Sequence, residues 1–241
     1  MEEQKASAIN IFNEDVKNNS GYRYTTNARL SSKLANLHAT NATLKICDFS
    51  GKRVIDIGCG DGTYTIELFS RGKLNYICGI DPASEAIKIA KKRIDSQKIT
   101  FDVQRGSKLI YASDSFDIAH LRGVLHHAED PIDILKEALR LASTVVVIEP
   151  NGYNPFLKLI EKYSQYHIDH KERSFLPIKL RQWTKETGGS ICSYRFIGFV
   201  PFFCPNWLAK ILKVLEPIIE SIPFVNFLSC ATYIFVIKRS K

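Results

Sequence analysis

None of the six cysteines, Cys47, Cys59, Cys78, Cys192, Cys204 and Cys230, has a partner at C-x-x-C spacing or a histidine placed to complete a zinc site. A reduced, cytoplasmic protein without a structural metal is therefore expected. The opening residues Met1-Glu-Glu-Gln-Lys5 are charged, with no apolar stretch or cleavage site after them, so no secretory signal is expected. Repeats, low-complexity tracts and long linkers are also missing, and the chain reads as continuous structure. Ser221 to Ile237 is uncharged for 17 residues, but Pro223 interrupts it and its end is better suited to a strand. No transmembrane span is expected from it.

What is present describes one globular domain. The 241 residues are 45% hydrophobic and 24% charged. A chain of this size buries on the order of 70% of the surface it exposes when unfolded, so its core needs no disulfide. Its 33 Lys and Arg against 25 Asp and Glu give a net charge of +8, and the excess is uneven. Residues 49 to 150 carry 14 of each sign, whereas residues 151 to 241 carry 13 basic and 6 acidic groups. Such a basic C-terminal third suits an anionic substrate, lipid headgroups or nucleic acid, and suits equally a solvated face.

From Lys52 to Glu149, short β-rich runs alternate with longer stretches of helical periodicity. Strands are expected at Arg53–Ile57, Asn75–Ile80, Ile99–Val103, Phe116–Leu121 and Thr144–Ile148, and helices near Thr63–Arg71, Ser84–Ser96 and Pro131–Leu141. That order is the signature of a parallel sheet covered on both faces. Residues 26 to 46 read as an amphipathic helix, so that 1–50 form an N-terminal helical cap on a 51–150 core. Helices at Asn154–Tyr166 and Pro177–Thr187 and strands at Ile191–Val200 and Ala231–Lys238 follow. The expectation is a single, doubly wound, Rossmann-like α/β domain of seven strands.

The sharpest local signal is Val54-Ile-Asp-Ile-Gly-Cys-Gly-Asp-Gly-Thr63, a strand entering a glycine turn and then a helix. Glycines there let the backbone approach a ligand at the sheet's C-terminal edge. Asp81 follows Gly60 by 21 residues, at the end of the second strand, where a carboxylate can accept both ribose hydroxyls.

Asp56-Ile-Gly-Cys-Gly-Asp-Gly62 with Gly79-Ile-Asp-Pro82 resembles the class I S-adenosylmethionine-dependent methyltransferases, in particular the small-molecule, methyltransferase type 11-like branch. Ser115-Phe-Asp-Ile118, Val124-Leu-His-His127 and Asp130-Pro131 extend the resemblance, which runs from about Gly51 to Pro150. It implies S-adenosylmethionine as cofactor and S-adenosylhomocysteine as product. Gly58 and Gly60, with the small Cys59 between them, would face the methionine part while Asp56 orients the loop from behind. Asp81 and Pro82 would lie at the ribose, and Leu121 would offer its main chain near the amino group. Many relatives carry an acid at the adenine position. Here Gln104-Arg-Gly-Ser-Lys-Leu109 stands instead, leaving Gly106 and Ser107 for adenine. Arg23 in Gly21-Tyr-Arg-Tyr-Thr25 would pair with the methionine carboxylate, or lie in a surface turn.

Methyl transfer is an in-line displacement that proximity accelerates by ~7–11 kcal/mol, and a base is needed only for a protonated acceptor. Loop residues at the strand ends supply candidates: His126, His127 and Glu149, with Asn151 and Tyr153 toward substrate. His126 is the preferred base, since histidine titrates near neutrality. His167-Ile-Asp-His170 lacks a third ligand and reads as a polar loop, with no metal expected.

Residues 201 to 228 form an apolar insert. Trp207, Leu208, Ile211, Leu212, Leu215, Ile218 and Ile219 share one helical face. That face is expected to pack onto its own domain as a lid over an apolar acceptor. The alternative is peripheral contact with a membrane surface, assisted by the basic C-terminal third. The function expected is methylation of a small or lipid-like acceptor, at oxygen or carbon. A catalytically silent cofactor-binding or membrane-peripheral protein is one rival, and a nucleic-acid methyltransferase is a less favoured one.

Overall fold

The computed structural model describes residues 13–14, 16–17, 21, 23–26, 29–164 and 173–240, with the main chain alone at 23 and 24. Seven strands form one sheet: β1 (Arg53–Ile57), β2 (Tyr76–Asp81), β3 (Ile99–Val103), β4 (Ile118–Arg122), β5 (Thr144–Pro150), β6 (Gly189–Ile197) and β7 (Thr232–Arg239). Their order across it is β3-β2-β1-β4-β5-β7-β6. Strands β1 to β5 are parallel to their neighbours in that series, and β7 runs antiparallel between β5 and β6. The chain winds outward from β1 in one direction and from β4 in the other. A crevice therefore opens above the carboxyl ends of β1 and β4, where ligands bind in open α/β sheets.

The five parallel strands form where β-branched residues run together, and they are buried on both faces, as parallel strands require. Ile55, Ile57, Leu121, Val145 and Val147 point into one layer, filled by Leu135 and Leu139 of α5 (Pro131–Leu141) and by Leu180 and Trp183 of α7 (Pro177–Glu186). Val54, Ile77, Ile118 and Val146 point into the other, under Leu68 of α3 (Thr63–Gly72) and Ile87 of α4 (Ser84–Lys92). Burying each large side chain contributes about 1.5–3 kcal/mol. The Asp130 carboxylate starts α5 by accepting the N–H groups of Ile132 and Asp133, with Pro131 in the first turn. Asn154 does the same for α6 (Pro155–Tyr163) through Phe156 and Leu157. Residues 165 and 166, where that helix was expected to end, lie outside the described residues.

Two expectations about helical faces are corrected. The helix foreseen over 26–46 has two parts, α1 (Arg23–Thr26) and α2 (Leu30–Ile46), and α2 is not amphipathic. Its buried side is a row of small and hydroxyl-bearing residues, Ser31, Ala35, Ala39, Ala42 and Thr43, while Leu37 is exposed. Small residues let α2 lie close to Ile148, Ile197 and Ile234 of the sheet. Between β6 and β7 come α8 (Asn206–Ser221) and α9 (Val225–Ser229). Within α8, Leu208, Ala209 and Leu212 face Leu34 of α2, but Trp207, Ile211, Leu215 and Ile218 of the expected packed face are exposed. All six cysteines are free thiols. Among the described residues no helix is long and apolar enough to cross a membrane.

Candidate active site

At the end of β1 the chain makes a tight turn with Gly58 at φ +77°, Gly60 at +56° and Gly62 at +75°. A β-carbon at Gly58 would lie 2.5 Å from Cγ2 of Val124, so the β4 loop can close on the turn only because that carbon is missing. The N–H groups of Gly58 and Cys59 donate to the carbonyl of Ile80, at 2.8 and 3.0 Å. Gly60 N–H donates to Asp81 Oδ2 at 2.9 Å, and Ala83 N–H to Oδ1 at 2.8 Å. Asp81 is thus fixed over the turn at the end of β2. Burial pushes its carboxyl up to about 6, with the two N–H bonds opposing and the neighbouring Asp56 and Asp61 charges adding to the rise. Further donors to such a carboxylate would stabilise its ionised form, and vicinal ribose hydroxyls are donors of that kind. Pro82 is half-buried beside it.

Asp56 lies behind the turn, its neighbours across the sheet being Gly79 and His120. Its carboxylate accepts the Thr65 hydroxyl at 2.5 Å and meets His120 Nδ1 at 2.7 Å, tying β1 to the first turn of α3 and to β4. Cys59 lies between the acids, and burial together with Asp81 and Asp56 pushes its thiol well above the ordinary value. It is a packing residue and no thiolate nucleophile.

Asp61, the variable residue of the motif, had no role assigned from sequence. Its Oδ1 accepts the N–H and hydroxyl of Thr63 at 3.1 and 2.7 Å, and its Oδ2 accepts the Thr25 hydroxyl at 2.7 Å. Arg93 approaches from α4, 3.3 Å from the carboxylate. A residue of the turn thereby anchors α1. Arg23 begins α1, but its side chain lies outside the described residues, as do His167 and His170. In the segment expected at the adenine, Gly106 lies over Ile57 at the end of β1, and Ser107 is exposed. Gln104 N–H donates to the Asp81 carbonyl at 3.2 Å. The side chain of Leu121 belongs to the core, which leaves only its main chain for a ligand.

At the ends of β4 and β5, Glu149 and His126 form a buried pair. Glu149 Oε1 accepts the N–H groups of Val124 and Leu125, both at 2.8 Å, and Oε2 accepts that of His126 at 3.2 Å. The same Oε2 lies 2.8 Å from His126 Nδ1. A carboxylate can only accept, so Nδ1 carries the proton shared in this contact. Glu149 is buried and engaged on both oxygens, which makes it a positioning residue for His126 and not a base in its own right. His127 lies against His126, with ring centroids 3.9 Å apart and the planes tilted by 44°. Nearby, Arg122 lies 3.8 Å above the ring of Tyr64 and donates to Thr40 and Asn36, holding α2 against the end of β4.

Asn151 corrects an expectation. Placed toward substrate from sequence, it is wholly buried, and its amide donates to the carbonyls of Phe227 and Cys230 at 2.7 and 2.9 Å. Its Oδ1 accepts the N–H of Tyr153 at 3.1 Å. It clasps the α9 segment to the β5 loop. Tyr153 is half-buried, its ring edge-on to Phe227 at 5.5 Å. One trio of metal-ligating type occurs among the described residues: His38 with Glu216 and Glu220, where α2 meets α8. Its carboxylates are occupied by the N–H groups of Gly198, Phe199 and Val200 and by the Lys213 ammonium.

A seven-stranded doubly wound sheet, with a glycine turn bonded to an acid at the next strand end, defines an α/β enzyme that binds a nucleoside cofactor. A family model described as "Methyltransferase domain" matches residues 48–188, more than half of the chain. The chain belongs to that family and is an S-adenosylmethionine-dependent methyltransferase. A ubiquinone biosynthesis O-methyltransferase of Coxiella burnetii is 27% identical over 226 residues, covering 84% of this chain and 88% of the relative. A tRNA U34 carboxymethyltransferase of Hahella chejuensis is 28% identical over 135 residues, 52% of this chain, and the chain covers only 41% of that relative's length. Among solved structures, an S-adenosylmethionine-dependent methyltransferase from Thermotoga maritima superposes with a TM-score of 0.69 at 18% identity, covering 96% of this chain and 99% of its own. That likeness is one of fold.

Proposed function

We propose that the acceptor is a small or lipid-like molecule methylated at a hydroxyl oxygen or an acidic carbon, with His126 as the base. The observation that carries this is the His126–Glu149 pair, in which a buried carboxylate holds Nδ1–H and fixes the ring at the end of β4. An acceptor already nucleophilic at neutral pH would have no use for it. When bound, S-adenosylmethionine supplies an electrophilic methyl group on a sulfonium sulfur. Asp81 would hold the ribose hydroxyls, Gly58 and Gly60 would let the main chain approach the methionine part, and Gly106 and Ser107 would border the adenine. His126 would accept the hydroxyl proton as the new bond to oxygen forms, and Glu149 would stabilise the imidazolium. Such a base contributes on the order of 10²–10⁴-fold.

The Coxiella relative, which matches nearly the whole of both chains, supports oxygen as the acceptor atom. The tRNA-modifying relative, together with the basic C-terminal third, supports a second reading in which the acceptor is a nucleic acid. The test is label transfer from [methyl-³H]S-adenosylmethionine to a catechol, with unmodified tRNA in parallel. Label on the catechol oxygen that depends on His126 supports the proposal. Label on tRNA alone, with RNA binding that falls steeply with salt, replaces it with the second reading. Cofactor binding without transfer to any acceptor would identify a silent binding protein.

A further inference from the structure

The most conspicuous surface the site leaves unexplained is the outward side of α8. Trp207, Ile211, Val214 and Ile218 follow one another at helical spacing and are 65%, 52%, 75% and 57% exposed. The row continues through Ile222 and Phe224, the latter 76% exposed, and is preceded by Phe202 and Phe203. Asn154, which starts α6, bonds the end of α9 at Ser229, and α6 carries a second exposed row of Phe156, Leu159 and Tyr163. Contiguous apolar surface on this scale marks an interaction site.

Charge decides what the surface fits. Between residues 201 and 229 the sequence has four charged residues, Lys210, Lys213, Glu216 and Glu220. Both acids turn inward: Glu216 is buried on the N–H groups of Phe199 and Val200, and Glu220 lies on Gly198 N–H and 2.7 Å from His38. Lys213 is drawn to the Glu216 carboxylate, so the outward side shows aromatic and aliphatic groups with Lys210 along its margin. A protein partner of ordinary composition would be met by charges of both signs at such a rim. An apolar face with Lys210 and no outward acid at its edge matches the acyl boundary and phosphates of an anionic bilayer.

We infer that α8 and the turn into α9 dock this protein on an anionic lipid surface, the helix lying in the interface plane. Asn151 bonds this segment directly to the loop that follows Glu149. The docking does not rest on the proposed function.

The test is flotation of the full chain with vesicles of phosphatidylcholine alone and of phosphatidylcholine mixed with phosphatidylglycerol, at low and high salt. The wild type is expected to float with the mixed vesicles and to be released in part by salt. Trp207→Ser/Val214→Ser/Ile218→Ser should abolish flotation with an unchanged melting temperature, because all three side chains already face solvent. Lys210→Gln should weaken partition into anionic vesicles by roughly five-fold and leave partition into neutral ones as it was. Failure of the wild type to bind either vesicle would overturn the inference. So would flotation retained in the triple variant, or a wild-type dimer in sedimentation equilibrium that the triple variant abolishes, which would make the face a self-association surface. Vesicle binding without transfer to any acceptor would sink the proposed function and leave the docking intact.

Discussion

Asp81 provides a sharp test of cofactor recognition because its titration and its proposed role pull in opposite directions. Burial raises its carboxyl from an ordinary 3.8 to about 6 in the free protein. The folded state therefore favours the protonated form. This group's contribution to stability is complete below about pH 4 and is lost as pH rises through 6, a difference of about 3 kcal/mol. Ribose hydroxyls that donate to the carboxylate would reverse the preference, so the cofactor would bind the ionised form and lower its pKa. At pH 7 roughly nine-tenths of the free protein is ionised and at pH 5 roughly one-tenth, so affinity should be about tenfold weaker at pH 5. Calorimetric titration of S-adenosylhomocysteine from pH 5 to 8 measures this directly. Asp81→Asn, which cannot ionise, should bind more weakly at pH 7 and show none of that dependence. A wild-type affinity that is flat between pH 5 and 7, or an Asn variant with the same slope, would refute the assignment of ribose to Asp81.

Three further outcomes follow from the same geometry. His126→Ala should lower turnover of a hydroxyl acceptor by about 10²–10⁴-fold while S-adenosylhomocysteine affinity stays at the wild-type value; equal loss of both would make the ring part of the cofactor site instead. Asn151→Ala removes the donor to two carbonyls beside β5 and should destabilise the fold by about 1–3 kcal/mol in denaturant titration without changing cofactor affinity; a raised acceptor KM at unchanged stability would return Asn151 to the substrate. Gly58→Ala forces a β-carbon against Val124 at φ +77° and should cost at least about 1–2 kcal/mol from the left-handed backbone alone. Adding Val124→Ala should recover the steric part of that loss, as read by the same titration.

The sheet and the glycine turn were legible in the sequence because local chemistry dictates them. A β-branched run from Val54, left-handed positions that only glycine takes cheaply, and an acid at the end of the next strand are each set by a few adjacent residues. Strands β1 and β3 have the expected bounds, and β2, β4 and β5 differ from expectation by a residue or two at their ends. Direction was harder. Apolar periodicity marks one face of a helix but does not say what that face meets. In α8 the inward side is set by Ala209, Glu216 and Glu220, whose fit to α2 and to the N–H groups of 198–200 outweighs burial of the larger stripe. In α2, small residues win the sheet because close approach gains more contact than a protruding leucine would.

Residue types alone determined the family, the cofactor and the candidate base, since strand, turn and acid occur at spacings that local structure preserves. Tertiary structure decided which polar groups are spent and which are offered. Glu149 became a clamp on His126, Asn151 a clasp on α9 and Asp61 an anchor for α1. Each of these follows from a long-range approach across 23 to 79 positions. Such pairings depend on how far apart the strand ends lie in space, and no local pattern of residues encodes that distance.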